Sequence, residues 1–174
     1  MVYLTLLIPV ILGIGFLNFT RLTGARNLVD ELWAEVHTYL GNRHDLIPAF
    51  VERAKEYTDQ EPPVFAALGQ ARTRCMNIGD IKGKIEAEKA LTLHLSQFLS
   101  LAGSMPALKQ DHHFVECVEL LKKTEKQVAQ TVREYNTAVR SYNAQLDAGL
   151  TGMVAHLLCF RPETPFDVML VTTS

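Results

Sequence analysis

Apolar side chains recur at alternating steps of three and four from Leu22 through Ala25, Val29, Leu32, Val36 and Tyr39 to Leu46 and Phe50. That spacing is the seam of a helix that packs on other helices, and it admits neither a strand nor a solvated loop. Arg43 holds the one heptad slot between Tyr39 and Leu46, so the register runs through LGNRHDLIPAF in phase and on to Tyr57. Within that stretch Pro48 lacks an N–H and clashes with the carbonyl of His44, which predicts a kink or a restart of the helix. Asp45 is then the expected cap of the restarted turn. His44 and Asp45 are chain neighbours and do not face each other on a helix, so the pair is not read as catalytic.

Two further rods follow. TDQEPP ends the first, and Pro62 and Pro63 suit the opening turn of the next. Its face is Val64, Leu68, Ala71, Cys75 and Ile78; MNIGDIKGK then interrupts it, and the stripe returns as Leu91, Leu95, Phe98 and Ala102. The middle rod is thus broken near 79–83, into helices over about 62–78 and 84–102. Its halves are expected to be collinear, because the summed length then matches the outer rods. GDIKGK falls one residue short of a phosphate loop and is read as a helix break.

Ser104 and Pro106 open the last rod. Its seam is Val118, Leu121, Val128, Val132, Tyr135, Val139, Tyr142 and Leu146, with Glu125 the polar intruder. Arg43 and Glu125 fall at similar heights along the outer rods, and a buried unpaired charge is costly, so the two are expected to meet. His113 and Cys117 lie one turn apart, but no second pair of metal ligands is visible, and they are read as surface residues.

The start of the chain carries no charged side chain through Phe19, a length of about 27 Å as a helix against the ~30 Å of a hydrocarbon core. Residues 1–20 are therefore expected to be an uncleaved transmembrane anchor. Arg21, Arg26 and Arg43 follow the span, so the positive-inside rule puts the N-terminus outside and the bundle in the cytoplasm. Three unpaired cysteines agree with a reducing compartment. Seventeen basic against nineteen acidic residues, net −2, exclude a nucleic-acid partner held by charge.

The domains expected are the anchor 1–20, a helical bundle 21–148, and a C-terminal part 149–174 made of the apolar GLTGMVAHLLCF and a loose tail. The fold class is all-α: a transmembrane helix followed by an antiparallel up-and-down bundle of three rods, hence three to four helices. GLTGMVAHLLCF is too short to span a bilayer and is read as an interfacial or core-capping segment. Tyr135-Asn136 and Tyr142-Asn143 repeat at heptad spacing. Their rings are expected to fill the seam and their amides to bond a neighbouring helix, with a recognition stripe for a partner protein as the functional reading.

R-x-D-L-I-P at Arg43–Pro48, TEKQVA at Thr124–Ala129 and the two Tyr-Asn pairs, together with QARTRC and SMPALKQDHHF, resemble the LemA family in order and spacing. The resemblance covers about 20–160 and departs after the second Tyr-Asn pair, where LDAGLTGMVAHLLCF replaces an Ile-x-x-Phe-Pro element. It implies a bacterial, membrane-anchored helical bundle with no established enzymatic activity and carries over no catalytic residues; no enzyme, cofactor or metal site is expected. The function expected is a scaffold that organises partner proteins at the inner face of the membrane, in a form compatible with homo-oligomers. The rival readings are a metal-dependent hydrolase using the His, Asp and Cys residues, and a bundle that shapes or senses the membrane.

Overall fold

A computed structural model describes residues 2–58 and 62–167, with the side chains of 2–12 and of 150 outside the description. The elements are α1 (Val2–Lys55), α2 (Pro63–Asn77), α3 (Ile81–Gly103), the short α4 (Pro106–Lys109), α5 (His112–Leu146) and α6 (Gly149–Leu157). Among the described residues every regular element is helical. The chain divides into two compact units, Met1–Ala34 with Arg133–Pro165, and Glu35–Val132 with Phe166–Ser174.

Among the described residues no helix is long and apolar enough to cross a membrane. The side chains of 2–12, which make up most of the anchor expected at 1–20, lie outside the described ones.

The second unit is built on the end of α1, the α2–α3 pair and the start of α5. Several of its details correct the expectations above. First, α2 and α3 are not collinear: Phe65 lies against Phe98, with ring centroids 5.5 Å apart, while Lys84 Nζ reaches the Cys75 carbonyl at 3.1 Å. The two helices therefore run antiparallel as a hairpin. The turn between them is tight because Asp80 caps α3, both its carboxylate oxygens accepting from the Gly83 amide at 3.0 and 3.2 Å. A Cβ on residue 83 would fall 2.5 Å from that carboxylate, so any other residue there has to push the cap aside.

Second, α1 passes through Pro48 as one continuous helix, and Asp45 does not cap a restart. Its side chain points outward, 75% exposed, and pairs with Arg72 at 3.7 Å.

Burial along α1 follows Leu22, Val29, Val36, Arg43 and Phe50, seven residues apart, as the seam predicts. From Leu40 on, Ile47 and Ala54 join it, while Tyr39 and Leu46 are only half-buried. The apolar face is wider there because α1 meets a helical hairpin as well as α5, and a bundle helix needs a broader stripe than a two-stranded seam. Phe50 packs edge-on against Phe98 and Phe114, at 6.0 and 5.7 Å. Ser104 closes α3 rather than opening the next helix, its hydroxyl donating to the Leu101 carbonyl. Asp111 starts α5, accepting from the Phe114 amide at 2.8 Å and from the Tyr57 hydroxyl at 2.8 Å. Those two hydrogen bonds hold its carboxyl below the ordinary 3.8.

In the first unit α1 and α5 are antiparallel, with Trp33 against Tyr135 at 5.2 Å. The α6 helix returns to the beginning of the described α1 side chains: Thr151 donates to Asn18 at 2.8 Å, and Phe160 meets Phe19 edge-on at 6.5 Å.

Candidate functional site

The seams that make the second unit also carry polar residues inward. On α3, Lys84 and Glu88 stand seven residues before Leu91 and Leu95, so they share the buried stripe. The α1 helix contributes Arg43 and His44, α2 contributes Cys75, and α5 contributes Thr124 and Glu125. All seven are at most 6% exposed, and Arg43, Cys75 and Glu88 are at 0%. Four helices thus share one polar layer.

Arg43 is its hub. Its Nη2 donates to Thr92 Oγ1 at 2.6 Å, its Nε lies 3.2 Å from Glu125 Oε1, and its Nη1 lies 3.7 Å from Glu88 Oε2. The carboxylates are held by charge more than by aligned hydrogen bonds. Arg43 and Glu125, flagged from their seam positions, are therefore in contact. The partners Glu88 and Thr92 were not foreseen, although extending the α3 stripe back by one heptad would have found Glu88. His44 donates from Nε2 to Glu88 Oε1 at 2.8 Å. Two basic side chains, Arg43 and Lys84, stand in the layer with two acidic ones, Glu88 and Glu125. Such balance is what lets charges stay out of water.

Burial, with the Glu88 carboxylate beside it, pushes the Cys75 thiol up to about 12, so at neutral pH it is a thiol and not a nucleophile. Burial and the neighbouring Lys84 hold His37 below its ordinary value.

His44, Cys75 and Glu88 place one donor atom each within 4.8 Å of one another. A soft or borderline cation uses these ligand types. Its entry would release the thiol proton and bring a positive charge toward Arg43 and Lys84. The metal pair weighed from sequence, His113 with Cys117, is elsewhere: His113 is exposed and pairs with Glu116 at 3.7 Å.

Next to the layer is a backbone site that explains R-x-D-L-I-P. Pro48 has no N–H to give the His44 carbonyl, and Arg72 supplies the missing donor, its Nε bonding that oxygen at 2.8 Å. The same guanidinium holds Asp45. Arg72 belongs to QARTRC, so two separate sequence elements form one clamp between α1 and α2.

In the first unit three residues of the Tyr-Asn pairs, Tyr135, Tyr142 and Asn143, turn to the chain's own C-terminal segment instead of a neighbouring helix. Tyr135 donates to the Thr164 carbonyl at 2.9 Å and Tyr142 to the Arg161 carbonyl at 3.1 Å. Asn143 both donates to the Glu163 carbonyl and accepts from the Glu163 amide, each at 2.9 Å. Residues 161–164 have no regular structure, yet side chains of α5 satisfy their backbone. Residues 168–174, the rest of the expected loose tail, lie outside the described residues. Burial pushes Tyr135 up to about 12.

No curated protein matches the chain. The family model described as LemA family matches residues 32–173, from the first unit's Leu32 through the polar layer and both Tyr-Asn pairs to the tail. With that match over nearly the whole chain, and with its motifs accounting for the clamp, the hub arginine and the tail contacts, this protein belongs to the LemA family.

Proposed function

We propose that the chain is a membrane-anchored helical scaffold, holding partner proteins at the cytoplasmic face of a bacterial membrane and catalysing no reaction. The observation that carries this reading is the closure of the polar layer. The groups that converge are at most 8% exposed, with Arg43, His44, Glu88, Thr92 and Glu125 turned on one another, whereas a reaction needs them in a cleft that substrate can enter. The charge-free sequence through Phe19 supports the anchor, and α1 continues from it without a break. The arginines that follow support the orientation.

The test is cross-linking of the full chain in its native membrane, followed by identification of the proteins recovered. A scaffold yields the same specific set from the wild type and from a folded His44→Gln, Cys75→Ser double variant. If that variant folds and keeps its neighbours but abolishes the protein's cellular role, the scaffold reading fails and chemistry at the layer takes its place.

A metal-dependent hydrolase is the second reading, and the convergence of His44, Cys75 and Glu88 is the observation on its side. It requires zinc to bind the purified full chain, and Cys75→Ser to abolish that binding. A competition titration against a zinc-sensitive dye decides between the two.

A further inference from the structure

We infer that α6 and the turn after it lie in the headgroup region of the bilayer, against the point where α1 leaves the membrane, so that the protein grips lipid with both α1 and α6. The inference rests on the anchor proposed above and adds a second lipid-binding surface to it.

Ile14, Phe16, Leu17 and Phe19 are 41–66% exposed. At about 100° per residue they point to well-separated directions around α1. A protein partner covers one face of a helix. Side chains bare in several directions, over the part of α1 that α6 leaves uncovered, call for a medium that wraps the helix, and lipid is that medium.

Beside them is α6, tied on by the Thr151–Asn18 hydrogen bond and the Phe160–Phe19 ring contact. From Gly149 to Phe160 it has no Asp, Glu, Lys or Arg. Its inner side is the buried Ala155, while Met153, Leu157 and Leu158 are 70%, 82% and 46% exposed. Twelve residues are too few to cross, but an apolar face of this kind lodges about 5–10 Å into the boundary between headgroups and acyl chains. Arg21 and Arg161, both exposed, border this surface and suit anionic headgroups. The bare apolar surface of α6 thus continues that of α1, and whatever solvates one must reach the other.

Cys159 is exposed and supplies a native probe. The full chain carrying Cys117→Ser is labelled there with a polarity-sensitive fluorophore and reconstituted into vesicles of zwitterionic and anionic phospholipid. Spin-labelled lipids then report the depth of the probe, and flotation after alkaline carbonate washing reports the anchor separately. The expected result is flotation together with loss of most of the emission to shallow quenchers. Met153→Gln with Leu157→Gln, at positions too exposed to be needed for folding, abolishes the quenching and leaves flotation intact. Flotation without quenching overturns this inference and spares the anchor. Chains that do not float overturn both. Energy transfer between labelled chains, in place of lipid quenching, makes a second copy the occupant and also overturns it.

Discussion

Pro48 creates a vacancy in the hydrogen bonding of α1, and Arg72 fills it from another helix. A fully buried carbonyl left without a donor costs about 1–3 kcal/mol; this one is part-buried, so Arg72→Ala is expected to destabilise the protein by about 1 kcal/mol, the low end of that range. Pro48→Ala returns an N–H four residues after His44 and removes the need for Arg72. In a double-mutant cycle followed by denaturant unfolding, Arg72→Ala therefore costs less in the Pro48→Ala background than in the wild type. Strict additivity would show that the clamp does not act through the carbonyl. Arg43 follows the same logic in charge form. It is fully buried among Glu88, Glu125 and Thr92, and loss of one member leaves the others uncompensated.

The helices owe their arrangement to what ends them. Asp80 on the Gly83 amide folds α2 and α3 back on each other, and Asp111 on the Phe114 amide starts α5 after the α4 turn. The hairpin brings Glu88 to Arg43, which a collinear rod would carry away. At the other end of α5, Asn143 treats Glu163 as a strand would, with one bond each way. Asn143→Ala removes both and is expected to raise hydrogen exchange of the Glu163 amide about tenfold, the equivalent of ~1.4 kcal/mol. Exchange at the wild-type rate would mean that other contacts hold this segment.

Across the protein the three cysteines report three environments: Cys159 exposed, Cys117 half-buried and Cys75 sealed. In the native chain maleimide is expected to modify Cys159 first and Cys75 only through unfolding, an order that mass spectrometry reads directly. Cys75 also sets a pH dependence. Its thiol ionises near 9.0 in the unfolded chain and near 12 when folded. Its contribution to stability is therefore complete below pH 9 and is lost as pH rises toward 12. Thermal unfolding across that window should fall more steeply for the wild type than for Cys75→Ala. Equal slopes would mean that the thiol does not titrate with folding.

The periodicity of apolar residues was enough to establish an all-helical chain, the heptad phase of α1 through Pro48, the place of the break after Ile78, and Arg43 and Glu125 as charges pointing inward. These follow from sequence because a helix turns by a constant angle, so the face of each residue is a local property. Contacts between helices are not local. Whether the two halves of the broken rod stand end to end or side by side depends on the three residues between them and on the surfaces they can bury. That choice brought Glu88 to Arg43 and Cys75 to His44. The donor for the His44 carbonyl and the seat of residues 161–164 were equally out of reach: one depends on a helix arriving from elsewhere, and the other on an irregular backbone that has no period to read.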